Sequence, residues 1–388
     1  MKKERILWLD GLKGLACLLV FTHHFMLAFF KSSYFGEEMP SMTASHIDTL
    51  LSYEPYGVLI NGNFWVCVFL VISAFLLSSQ IFRMTGNSAE TGENNFVHHL
   101  SAMLLKRYPR LMLPAAFVGI ANYFLIILLD MCHGNYLEIK SALGFKDLLL
   151  HCFVTMWTTT DSSVLGPFWM LHVLLFGSYL AILLALLAGK DRKHMLPVYL
   201  LLLYVLGTIN HYYTGVVLGV LFAWFLERDP FHLLQKTFFP HWQTITGVLL
   251  LFAGLYLGGY PSYVQPMNFY RHFGFYVHRV VDAYQIIHCF GAVCLLAGLF
   301  LWSAPGKVLS TGIFQQLGKI SFSIYLLHIM VIQYIGYYLM DTLMEITGNY
   351  SLTGIIVYLI LLSILVLVSA LFHGSIERCC DKICSQIK

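Results

Sequence analysis

The chain is 388 residues long, with 58% hydrophobic and only 11% charged residues and a mean hydropathy of +0.72. A soluble domain carries roughly 25% charged residues, so a surface this poor in charge excludes a water-soluble globule and marks an integral membrane protein. The formal net charge of +3 is too small to point to nucleic acid as a partner.

A helix needs about 20 apolar residues to cross the hydrocarbon core. Ten segments read as spans: 7–30, 62–82, 110–130, 167–188, 195–209, 212–227, 243–260, 283–303, 319–341 and 352–373. Segment 145–157, FKDLLLHCFVTMW, is too short to span easily and reads as an interfacial or re-entrant helix. The sequence therefore predicts an all-α, polytopic membrane helix bundle of about ten transmembrane helices. It reads as a single domain, 1–388, with no internal repeat and no separate soluble part. The basic start and the long apolar run behind it, without a small-residue cleavage pattern, read as a retained first span rather than a signal peptide.

With both termini cytoplasmic, seventeen Lys and Arg residues fall inside and five fall outside: Lys31, Lys140, Lys146, Arg271 and Arg279. That asymmetry fits the positive-inside rule and a multi-pass protein of the cytoplasmic membrane. The nine cysteines lie mostly in apolar segments, which argues against a disulfide framework. Cys379, Cys380 and Cys384 read as ordinary thiols, and no metal site is expected.

The first span contains LDGLKGLACLLVFTHHF, Leu9 to Phe25. At about 100° per residue, taking Asp10 as zero, Lys13 falls at roughly 300° and His24 at roughly 320°, whereas His23 falls at roughly 220° and points elsewhere. Intramembrane ionisable groups normally face a bundle interior or a wet cavity, so the stripe predicts a polar cavity beside this helix. Asp10 and His24 lie about 21 Å apart along it. A plain ion pair between Asp10 and Lys13, at i and i+3, is the competing reading.

The stretch LLKRYPRLMLP, Leu104 to Pro114, places Lys106, Arg107 and Arg110 before the third span. Pro109 and Pro114 suit a helix start or a kink. Arginine forks bind phosphate oxygens bidentately, and anchoring to anionic lipid is the plainer alternative. NFWVCVFLVISAFLLS, Asn63 to Ser78, mixes aromatics with Ser73. GPFWMLHVLLFGSYL, Gly166 to Leu180, opens on a Gly-Pro break and carries Trp169 and His172, where an interfacial aromatic belt would suffice. LGKISFSIYLLHIMV, Leu317 to Val331, places Ser321, Tyr325 and His328 on one side, where a satisfied core histidine is the default.

In this order the four stretches resemble acyltransferase family 3, the integral-membrane acyltransferases. Asp10 and His24 match that family's aspartate and histidine fourteen residues apart, and VFLVISAFLLS is similar to its V-F-F-V-I-S-G-F-L. RYPRLMLP resembles its R-x-x-R followed by proline, and LGKISFSIYLLHI its late L-G-x-I-S-Y-S-x-Y-L-x-H. The resemblance implies transfer of an acyl group, usually acetyl, from cytoplasmic acetyl-CoA or another acyl-CoA. The implied acceptor is a hydroxyl of a glycan, lipid or small molecule, often at the outer face and in surface-polysaccharide chemistry. His24 would be the catalytic residue, with Asp10 and His328 in the catalytic set. Arg107 and Arg110 would hold the donor, with Lys106, Arg5 and Lys13 near it. Trp169, His172 and Tyr325 would bind substrate.

Three positions depart from the pattern: Lys13 stands for an arginine, Ala74 for a glycine and Leu174 for a glutamate. A secondary transporter, or a non-catalytic accessory of polysaccharide export, is the alternative. Membrane lipids are expected partners, and a homo-oligomer is left open.

Overall fold

The computed structural model describes residues 6–86, 93–133, 144–159, 162–188, 195–227, 241–263, 270, 272 and 283–387. Arg5 lies outside the described residues. So do Lys2, Lys3, Lys140, Lys190, Arg192, Lys193, Arg228, Lys236, Arg271, Arg279 and Lys388. Among the described residues every regular element is helical. The principal helices are α1 (Leu7–Phe29), α2 (Gly62–Gly86), α3 (Glu93–His133), α4 (Trp169–Ala188), α5 (Met195–Ile209) and α6 (Tyr212–Leu226). They continue as α7 (Trp242–Gly258), α8 (Ala283–Leu301), α9 (Gly312–Lys319), α10 (Ser321–Val331), α11 (Tyr350–Phe372) and α12 (Arg378–Ser385).

Seven helices among the described residues are long and apolar enough to cross a membrane, and α5, α6 and α7 are shorter apolar helices. The side chains show what surrounds them. On α11, Val357, Leu361 and Leu365 are fully buried, while Leu352, Ile355, Leu359, Leu367 and Leu371 are exposed on the other side. A helix apolar on both faces has protein on one and hydrocarbon on the other. The junction before α11 is specified locally. Gly348, at φ 59°, ends the preceding helix in the left-handed region. The Asn349 side chain then accepts the Leu352 amide as the N-cap of α11.

Two expected boundaries change. The helix that carries the third span begins well before 110. It is one helix of 41 residues from Glu93, with Pro109 and Pro114 inside it. Proline lacks the N–H that would meet the carbonyl four residues earlier, so the carbonyls of Leu105 and Arg110 lose that partner. The segment read as 319–341 is divided at Ile320 between α9 and α10, and α10 continues through a π segment, Ile332–Gly336, into Tyr337–Thr347. Segment 145–157 is the expected short helical piece: Phe145–Leu150, a π segment His151–Thr155, and Met156–Thr158.

The helices form two compact units, 1–93 with 177–319, and 94–176 with 320–388. In the first, α1 and α9 meet at backbone distance. A Cβ on Gly14 would lie 2.6 Å from the Gly318 nitrogen, and one on Gly318 would lie 2.2 Å from the Asp10 carbonyl oxygen. Small residues permit such approaches where apolar burial alone does not select among neighbouring helices. The second unit gathers α3, the 145–158 piece, α10, α11 and α12.

Candidate functional site

The polar stripe of α1 begins with an ion pair. Lys13 Nζ lies 2.7 Å from Asp10 Oδ1, and Asp10 is buried. The carboxylate is thus matched by the cation one turn away. Its backbone carbonyl is covered by Gly318 of the LGKIS stretch, so the first and last of the four sequence motifs touch. His24, about 21 Å further along the helix, is half-buried. Its ring lies 4.8 Å from that of His23, edge-on at 69°.

His23, off that stripe, is held by the turn before α2. Its Nδ1 lies 2.7 Å from the Ile60 carbonyl. A carbonyl only accepts, so Nδ1 carries the proton and Nε2 carries the lone pair. The turn Ile60–Asn63 that supplies this carbonyl is itself held by a buried network. Asn61 Nδ2 donates to the Tyr260 carbonyl at 2.7 Å, and His288 Nε2 donates to the same oxygen at 2.9 Å. Asn63 Nδ2 then donates to His288 Nδ1 at 2.7 Å, and the Tyr212 hydroxyl donates to Asn63 Oδ1 at 2.5 Å. From Tyr212 through Asn63 and His288 to the Tyr260 carbonyl each N–H or O–H meets an acceptor, while Asn61 Nδ2 also lies 3.1 Å from His288 Nε2. Beside it, Tyr34 stacks edge-on to His23 at 5.0 Å and against the exposed Tyr263 at 4.9 Å.

The segment between α1 and α2 is organised by one carboxylate. Asp48, 1% exposed, accepts from Ser32 Oγ at 2.7 Å, Ser41 Oγ at 2.5 Å, Thr43 Oγ1 at 2.7 Å and the Met42 amide at 2.7 Å. Burial alone would raise its pKa. The donated hydrogen bonds outweigh burial and hold the carboxyl at about 2.

The second unit carries the basic cluster and the late motif. Lys106 and Arg107 are half-buried on α3, and Arg110 is exposed. Arg110 Nε lies 3.3 Å from Asp381 on α12. Tyr108, between the arginines, donates to the Phe153 carbonyl and stacks on Trp157 at 5.6 Å. His172 Nδ1 donates to the Trp157 carbonyl at 2.8 Å. Trp169 is half-buried, and so is Leu174. Tyr325 donates to the Pro167 carbonyl, tying α10 to the turn that opens α4. His328, fully buried, donates Nδ1–H to the Tyr325 carbonyl at 2.7 Å and stands 5.9 Å from the Tyr325 ring. Histidines 23, 172 and 328 thus each donate from Nδ1 to a backbone carbonyl.

Tyr325, His328, His172 and Trp169 belong to the second unit with the basic cluster, while Asp10, Lys13 and His24 belong to the first. Ala74, where the family pattern has glycine, is accommodated by Gly219 of α6, whose missing side chain leaves room for the Ala74 methyl. Among the described residues no group of three His, Cys, Asp or Glu side chains is placed to hold a metal.

Sequence reasoning missed His23, Asn61, Asn63, Tyr212 and His288. A signal existed in two asparagines flanking Gly62 at a span start, and in a histidine inside the apolar run 283–303. It also missed the buried Glu377, which accepts from Ser323 at 2.5 Å and pairs with His373 at 2.6 Å.

No curated protein matches this chain, and no solved structure does. A family model does: that of the acyltransferase domain of acyltransferase family 3 matches residues 6–374, essentially the whole chain and all four motifs. The chain therefore belongs to acyltransferase family 3, and it is a multi-pass membrane protein of an acyl-transferring family.

Proposed function

We propose that this protein moves an acyl group, acetyl in the first instance, from acyl-CoA on the cytoplasmic side to a hydroxyl of a glycan, lipid or small molecule at the outer face. The family match over residues 6–374 carries this reading. Lys106, Arg107 and Arg110 supply the cationic forks that a donor rich in phosphate needs. Asp10 lies too far from His24 to orient it and instead holds Lys13, with which it is paired.

His24 takes the proton of the acceptor hydroxyl as the oxygen attacks the thioester carbonyl. The tetrahedral adduct collapses, the carbon–sulfur bond breaks, and the departing thiolate takes the proton from the imidazolium. General-base action is worth about 10²–10⁴-fold, so positioning of donor and acceptor must supply the rest. Tyr325, His172 and Trp169 serve as substrate-side residues of the second unit. His328, buried against its own helix, supports Tyr325.

The test is purified protein with radiolabelled acetyl-CoA. Release or transfer of label is expected, with loss of that activity in His24→Ala at unchanged melting temperature. Full activity in His24→Ala would remove the histidine from the mechanism. Absence of any acyl release or transfer by the unaltered protein, given a panel of hydroxyl acceptors, would overturn the function itself.

A further inference from the structure

We infer that His23 is a positioning residue. It holds the His24 imidazole in its working orientation and is itself anchored to the Ile60–Asn63 turn. The inference rests on the reading of His24 as the base and adds a second residue to it.

Neighbouring side chains on a helix diverge by about 100° and do not face each other. Here the two rings nevertheless lie 4.8 Å apart, so His24 leans on whatever fixes His23. Three contacts fix it. The first is the 2.7 Å hydrogen bond from Nδ1 to the Ile60 carbonyl, which sets the ring's rotation and its tautomer. The second is Gly62: a Cβ there would lie 2.6 Å from His23 Cδ2 and 2.7 Å from Cγ, so the ring lies directly on bare backbone. The third is Tyr34, edge-on at 5.0 Å.

The anchor is as firmly held as the ring. Asn61 and Asn63, on either side of Gly62, are bonded to the Tyr260 carbonyl, to His288 on α8 and to Tyr212 on α6. These bonds tie the turn to two other helices and to the Tyr260 backbone, and such buried polar contacts hold it in place. A base whose neighbour is locked in this way is preorganised without contacting that lock itself.

Two substitutions separate the hydrogen bond from the bulk of the ring. His23→Phe keeps an aromatic ring and removes the donor. His23→Asn places an amide N–H the same number of bonds from Cβ as Nδ1 and keeps the donor. With the full-length protein in nanodiscs and acetyl-CoA as donor, His23→Phe should lower kcat about 10–100-fold while KM for acetyl-CoA stays within about twofold. His23→Asn should restore kcat to within about threefold of the unaltered protein. Gly62→Ala, which pushes the ring off its seat, should lower kcat similarly, and the His23→Phe/Gly62→Ala double variant should be no slower than His23→Phe alone.

Melting temperatures identify any variant that fails to fold, and Gly62→Ala carries the test if His23→Phe does so. Unaltered kcat in folded His23→Phe or Gly62→Ala overturns the inference, as does equal loss in His23→Asn and His23→Phe. An unaltered protein that transfers no acyl group overturns the proposed function instead, before any variant is compared.

Discussion

Gly318 lies with its α-carbon against the backbone of Asp10, and the atoms a methyl would strike are a carbonyl oxygen and carbon at 2.2 and 2.6 Å. Neither belongs to a flexible side chain, so α1 or α9 must shift. Overpacking of this kind costs about 1–3 kcal/mol or more. Gly318→Ala should therefore lower the melting temperature of the solubilised protein by several degrees. Gly14→Ala, at 2.6 Å from the Gly318 nitrogen, should do the same. The two changes share one contact, so the double variant should fall short of their sum; full additivity would show that the helices are not in mutual backbone contact. The residues of α1 that pair within the helix were legible in the sequence, because Asp10 and Lys13 are one turn apart and spacing alone brings them together. The glycines' role was not, since it depends on a helix some 300 residues later. The anchor of His23 was not legible for the same reason. Its angle on the helix is off the polar stripe, yet its partner is the turn before α2, which no helical projection contains.

At the scale of elements, the segment between α1 and α2 depends on Asp48. Its carboxyl is held at about 2, below its ordinary 3.8, so its stabilising contribution is complete above pH 4 or so and disappears as pH falls through about 2. That contribution is roughly 2–3 kcal/mol. The protection of amides in residues 30–61, relative to their intrinsic exchange rates at each pH, should fall across this acid window in the unaltered protein. Asp48→Asn, which sets an amide N–H against donors, should show fast exchange already at neutral pH. Identical exchange in the two proteins at neutral pH would remove Asp48 from that role. On α3, Arg110 faces Asp381 with both side chains largely exposed, and such a pair contributes about 0–1 kcal/mol. Asp381→Asn should leave the melting temperature nearly unchanged. It should lower KM for acetyl-CoA by releasing Arg110 to the donor, and an unchanged or raised KM would separate Arg110 from donor binding. The basic pair was legible as a pair, but the element bearing it was not. Pro109 and Pro114 mark a helix start in a soluble chain, whereas helices in membranes keep proline inside because neighbouring groups satisfy the freed carbonyls.

At the scale of the whole molecule, the number of crossings decides where the termini lie. Among the described residues seven helices are long and apolar enough to cross, and three more have 15, 15 and 17 residues. At about 1.5 Å per residue these reach only about 22–26 Å, against about 30 Å of hydrocarbon, a mismatch that local thinning of the bilayer accommodates. α5 and α6 are joined by Asn210 and His211 alone, so they cross as a hairpin or not at all and do not change the parity. α7 decides it. Along α7, Gly247 meets Leu301 and Trp302, while Gly254 meets Gly291 and Leu295, so α7 runs antiparallel to α8 at backbone distance over most of its length. A helix packed so closely along a spanning neighbour is expected to cross with it. With α7 crossing, the total would be even and the termini would share one side. By the positive-inside rule, the Lys and Arg excess expected on that side would make it the cytoplasm. Reporter fusions at residue 1 and residue 388 should both read cytoplasmic, and one inserted between α7 and α8 should read external. Termini on opposite sides would mean that α7 does not cross, and that its glycine seam with α8 lies outside the hydrocarbon.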